Sequence, residues 1–131
     1  MINVFQIQMS KSQRDEVNQH GWSGVAWGSV YMGLTSDDLE ENVFDLIVEA
    51  IKFGLVTHTL TINTDDFDEA FEIGNGHGDL TKITERQKHK SVCVGDIFVR
   101  NHKDGAVVDN SGFIELDEKQ SAVIEVLAEQ V

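Results

Sequence analysis

The side chains able to do chemistry are five histidines, one cysteine and a large excess of carboxylates. The histidines, His20, His58, His77, His89 and His102, are scattered, and no two lie three or four apart. No H-E-x-x-H, C-x-x-C or EF-hand pattern occurs, so the sequence offers no metal site. His77-Gly78-Asp79 reads as turn chemistry rather than a metal clip. Cys93 sits between Val92 and Val94 in a stretch read as a strand, where a buried thiol is inert. The G-x-S-x-G turn is absent, and Gly74-Asn75-Gly76-His77-Gly78 lacks the Lys-Ser/Thr of a phosphate loop. The expectation is a protein that is not an enzyme and uses no cofactor.

Charge carries more information. The chain has 23 acidic and 10 basic residues, net −13. Such a surface repels phosphate backbones, so direct nucleic-acid binding is not expected. Asp37, Glu41, Asp45 and Glu49 recur every fourth residue, and Asp65, Asp68, Glu69 and Glu72 crowd a second helix. The bases Lys82, Arg86, Lys88, Lys90, Arg100 and Lys103 cluster later. Were the two acidic helices to lie side by side, their carboxylate rows at ~6 Å per step would approach the charge density of B-DNA without reaching it. These eight residues are the candidate protein-binding surface, for a basic partner. Trp22, Trp27 and Tyr31 form a candidate aromatic interaction patch, with sealing of the core edge as the competing role. The same acidity also suits a solvated module that self-associates, acidic half to basic segment, through the Trp22–Tyr31 segment or through the C-terminal helix.

These residues need elements to hold them. Asn3–Gln8 alternates as a half-buried strand, with Val4 and Gln6 on one face and Phe5 and Ile7 on the other. Ser10 caps a short polar helix that Gly21 ends. Residues 21–34, with four glycines, read as a loop or weak helix, in which Gly24 and Gly28 allow a close approach. Ser36 is read as the cap of the clearest helix. Leu39, Val43, Leu46, Ile47, Ala50 and Ile51 form its apolar stripe, and Gly54 stops it. Leu55–Ile62 is a strand with His58 on the same face as Val56, Leu60 and Ile62. Thr64 or Asp65 caps a helix from Asp66 to Ile73. Residues 81–90 read as a polar helix or loop. Ile97-Phe98-Val99 and Ala106-Val107-Val108 pair around a Lys103-Asp104-Gly105 hairpin, and Asn110-Ser111-Gly112 turns into Phe113–Leu116. Asp117 caps a last helix with Ala122, Val123, Val126 and Leu127 on one face.

This order implies one domain, residues 1–131, of α+β class. It predicts a small, mainly antiparallel sheet with a hairpin in the C-terminal half, packed by three to four helices. No apolar run nears the ~18–20 residues of a membrane span, and Met1-Ile2-Asn3-Val4 lacks a signal peptide's charged start. A single cysteine suits a reducing compartment. The expectation is a cytoplasmic protein with no membrane partner.

Ser91-Val92-Cys93-Val94-Gly95-Asp96-Ile97, followed by Val107 and then Gly112-Phe113 to Leu116, resembles small accessory proteins of bacteriophages and plasmids and the YodL-like domain of mobile elements. Cys93 stands where that pattern usually has Ser, and the helix after Leu116 departs from it. Val4–Gln8 and Asp66–Asn75 resemble segments of the same proteins. The resemblance implies a non-enzymatic accessory protein in the host cytoplasm that binds a basic host or phage protein, such as a nucleic-acid-binding or defence enzyme. No catalytic residues come with it.

Overall fold

A computed structural model describes residues 1–36, 39 and 42–129. Among them are six strands: β1 Ile2–Ile7, β2 Val56–Ile62, β3 Ile83–Glu85, β4 Ile97–Arg100, β5 Asp104–Asp109 and β6 Gly112–Leu116. The helices are α1 Lys11–His20, α2 Gly28–Thr35, α3 Val43–Lys52, α4 Phe67–Gly74 and α5 Glu118–Glu129, with 3-10 turns at Trp22–Gly24 and Leu80–Lys82. The strands form one sheet in the order β3-β2-β1-β4-β5-β6, antiparallel throughout. The fold is α+β, as the order of elements implied.

β1 is the centre of this sheet and is buried along its whole length rather than on one face. Phe5 and Ile7 enter a core with Val30, Leu34, Ile47, Ile51, Val99, Val107 and Ile124. Ile2 and Val4 enter a second core with Leu60, Ala70, Ile73, Phe98 and Val108. Successive side chains of a strand point to opposite faces, so the sheet separates the two cores. Helices α2, α3 and α5 cover the first face, and α4 covers the second.

A bulge lets β2 serve both cores. Phe5 pairs with His58 but Val4 pairs with Leu60, leaving Thr59 as the extra residue. A bulge of this kind resets the alternation. Val56 and His58 therefore face the α5 side, and Leu60 and Ile62 face the α4 side. The four do not share a face, as uninterrupted alternation would have required.

Local capping follows sequence at both ends of the chain. Ser10 Oγ accepts from Gln13 N–H at 3.1 Å, and Gln13 Oε1 accepts from Ser10 N–H at 2.9 Å. Asp117 and Gln120 make the same reciprocal pair before α5. Such boxes satisfy donors that the first helical turn leaves free.

Six expectations change. Ser36 ends α2 instead of opening α3, and α3 begins only at Val43. Leu39 lies outside any helix, although it packs on the first core. Asp66, not Thr64 or Asp65, caps α4, accepting from Asp68 N–H at 2.9 Å. Residues 83–85 are an edge strand in what read as a helix or loop. Asn101 and His102, both at positive φ, make the β4–β5 turn, two residues ahead of the Lys103-Asp104-Gly105 signal. On α5 the buried residues are Ser121 and Ile124, while Val123 and Val126 are exposed.

Candidate functional site

The carboxylates expected to form one surface are divided. Asp37 and Glu41 lie outside the described residues. Asp45 and Glu49 are exposed one turn apart on α3, and Asp65, Asp68, Glu69 and Glu72 lie on or beside α4. Because α3 and α4 cover opposite faces of the sheet, the two acidic rows do not run side by side. The sequence could not reveal this, since facing is set by β1's alternation and the bulge at Thr59.

The α4 group is the richer one. Asp65 accepts from the Met1 amine at 2.5 Å and from Asn101 Nδ2 at 3.0 Å. The amine's hydrogen bond, then Asn101's, holds its carboxyl below the usual range. Glu69 is also held low, first by a hydrogen bond from Thr64 and then by Lys82, whose Nζ lies 3.1 Å from Glu69 Oε1. Asp68 and Glu72 are exposed, with no ion-pair partner among the described residues. Phe71, one turn from Asp68, exposes 38% of its surface and meets Phe113 edge-on at 6.4 Å. The patch is thus two free carboxylates around a half-exposed ring.

The aromatic trio assembles and divides its labour. Trp27 is buried in the first core. Trp22 stacks on Tyr31 with ring centroids 5.3 Å apart, and each meets Trp27 edge-on. Trp27 seals the core, and Trp22 with Tyr31 forms an outer, partly exposed layer. Gly28 makes this possible, because a Cβ there would lie 2.2 Å from the Trp22 carbonyl oxygen.

The segment that carries the resemblance is a buried polar junction. Asp96 is fully buried. Its carboxylate accepts from Gln6 Nε2 at 3.0 Å, Ile7 N–H at 3.2 Å and Cys93 N–H at 3.0 Å. Gln6, also fully buried, completes its valence with Lys90 N–H, Lys90 C=O and the Thr59 hydroxyl. Burial pushes the Asp96 carboxyl above its ordinary range, against the pull of these donors. Cys93 is not the core strand residue its neighbours suggested. It lies in the irregular approach to this turn and is exposed. Partial burial of the sulfur, then the Asp96 charge, pushes the thiol upward, which lowers its thiolate fraction at a given pH. Alkylation by iodoacetamide at mildly alkaline pH is expected to run several-fold slower than for free cysteine, followed by mass spectrometry.

A second polar chain, absent from the sequence reading, fastens α5. Glu129 Oε1 lies 2.6 Å from His58 Nδ1, and His58 Nε2 lies 3.3 Å from the Thr61 hydroxyl. Thr61 donates to Asn3 Oδ1 at 2.9 Å, Asn3 Nδ2 donates to Glu125 at 3.1 Å, and Glu125 meets His102 Nδ1 at 2.9 Å. All of these links except His58–Thr61 join residues far apart in sequence, and no local pattern announces them. A cleft of about 540 Å³ opens beside them between Arg86 and Val126. No group of three or more His, Cys, Asp or Glu suited to a metal ion occurs among the described residues. No helix among them is long and apolar enough to cross a membrane.

Comparison with protein-family models, with curated proteins and with solved structures finds no match.

Proposed function

We propose that the protein is a non-enzymatic accessory protein, of the kind encoded by phages or mobile elements, that binds a basic partner protein through its acidic surface. The observation that carries this reading is the α4 patch, where Asp68 and Glu72, both unpaired among the described residues, flank the half-exposed Phe71. Unpaired carboxylates around an apolar anchor suit a basic, amphipathic protein segment, since the charges steer and the ring is desolvated. The resemblance around Ser91–Leu116 supports the origin. A mimic of duplex DNA would have to be read one face at a time, because α3 and α4 point away from each other.

The test uses a Lys/Leu amphipathic helical peptide as the basic probe. Binding by calorimetry is expected to weaken at least tenfold between ~0.05 and ~0.5 M salt. The Asp68→Asn/Glu72→Gln variant is expected to lose about tenfold at low salt, against little change for Asp45→Asn/Glu49→Gln on the opposite face. Binding indifferent to salt and to both variants would remove the proposal.

Self-association is the second reading, favoured by Val123 and Val126, exposed at 40% and 56% on α5. Light scattering at high concentration separates the two, since a strict monomer leaves no oligomeric role.

A further inference from the structure

Among the described residues, one concavity is lined by bases and not by acids. A cleft of about 330 Å³ is lined by Gln8, Met9, Arg14, Tyr31, Lys88, His89 and Lys90, and this lining contains no carboxylate. Arg14, Lys88 and Lys90 are exposed, and none is in an ion pair among the described residues, although the Lys90 ammonium also acts on the neighbouring Cys93 thiol and on the Asp96 charge. Three of the chain's ten Lys and Arg residues thus converge on one concavity in a protein of net charge −13. His89 adds a fourth nitrogen base, with its Nδ1 at 3.4 Å from Glu85.

The site is held rigid from below. Gln8 Nε2 donates to Lys88 C=O at 3.2 Å, and Gln6 grips both the N–H and the C=O of Lys90. Two glutamines of the central strand region therefore fix the backbone of residues 88–90. One wall is aromatic: Tyr31 lines the cleft, and Trp22 stacks on it with ring centroids 5.3 Å apart.

We propose that this cleft binds a small nucleoside phosphate, the phosphates among Arg14, Lys88 and Lys90 and the base against Tyr31. Guanidinium and ammonium groups together with a tyrosine ring in one lining match the two halves of such a ligand. Size selects the class. A polyanion would run beyond the cleft over the acidic surface, whereas a mononucleotide stays within about one Debye length, ~8–10 Å, of the three cations. The site is separate from the α4 patch, so the two proposals fail independently.

Titration of the full chain with ADP, pyrophosphate and adenosine, read by tryptophan fluorescence and by NMR shifts, tests this. ADP is expected to bind saturably, and pyrophosphate and adenosine each to bind at least ~10-fold more weakly. Arg14→Gln/Lys88→Gln is expected to weaken ADP about tenfold. Tyr31→Leu should reduce ADP affinity while leaving pyrophosphate affinity unchanged, and Lys119→Gln on α5 should change neither. Circular dichroism checks that each variant is folded. Absence of saturable ADP binding, pyrophosphate binding as tightly as ADP, or full affinity in the Arg14/Lys88 variant would each overturn the proposal.

Discussion

Replacing Asp96 by alanine is expected to lower the unfolding free energy by about 4 kcal/mol, because a buried donor left without a partner costs ~1–3 kcal/mol. Two backbone donors, Ile7 N–H and Cys93 N–H, would lose their acceptor, and Gln6 Nε2 would keep only Lys90 C=O. Stability of an ordinary domain is ~5–15 kcal/mol, so a large share would go. Urea denaturation measures it. Asp96→Asn preserves size but substitutes an NH2 for one accepting oxygen, so it should fall between wild type and alanine. The pH dependence has a definite sign. Burial raises the folded-state value, so the carboxyl's contribution is greatest below the unfolded value of ~3.9 and is lost as pH climbs through the folded one. The stability of wild type relative to Asp96→Asn should therefore decline across that window. A flat difference would mean that Asp96 titrates alike in both states.

Gly95→Ala, one residue earlier, is expected to be comparably damaging. Gly95 has φ +93°, and a Cβ on it would stand 2.1 Å from the Leu34 carbonyl oxygen. A backbone atom cannot swing aside as a side-chain tip can, so the turn or the end of α2 must move. Gly54 supplies the control, since it also has positive φ, +72°, but nothing within 4 Å of the added carbon. Gly54→Ala should cost about 1 kcal/mol of conformational strain, and Gly95→Ala upward of ~3 kcal/mol with overpacking included. Thermal melts of the two variants give the comparison. Equal losses would show that φ alone, and not the approach of Leu34, requires glycine at 95.

Much of the fold was legible because its signals are local. Ser10 with Gln13 and Asp117 with Gln120 are caps written within four residues. Ile97–Val99, Ala106–Val108 and Phe113–Leu116 are strands marked by composition and turns. What stayed hidden depended on partners distant in sequence. Thr59 gives no sign of being a bulge residue, yet it decides that His58 faces α5 and Leu60 faces α4. Gln6 looked like the polar side of a half-buried strand, and only the strap of residues 88–96 makes it interior. The late start of α3 escaped because Leu39 and Val43 fit a helical stripe that the chain does not continue through both. Of the candidate surface, the existence of acidic helices was readable. Their facing was not, nor was the convergence of Arg14, from α1, on Lys88 and Lys90.

The central place of β1 also sets a schedule. Its hydrogen-bonding neighbours are β2 and β4, and the second is not complete until Arg100. At synthesis rates of ~5–20 residues per second, on the order of ten seconds separates the making of Ile7 from that of Ile97. During that interval a strand with four apolar residues in six has at least one open edge and no finished core on either side. The molecule therefore cannot fold progressively as it is made. It must wait for its latter half, and the acidic segments made in between keep the waiting chain charged and apart from its neighbours.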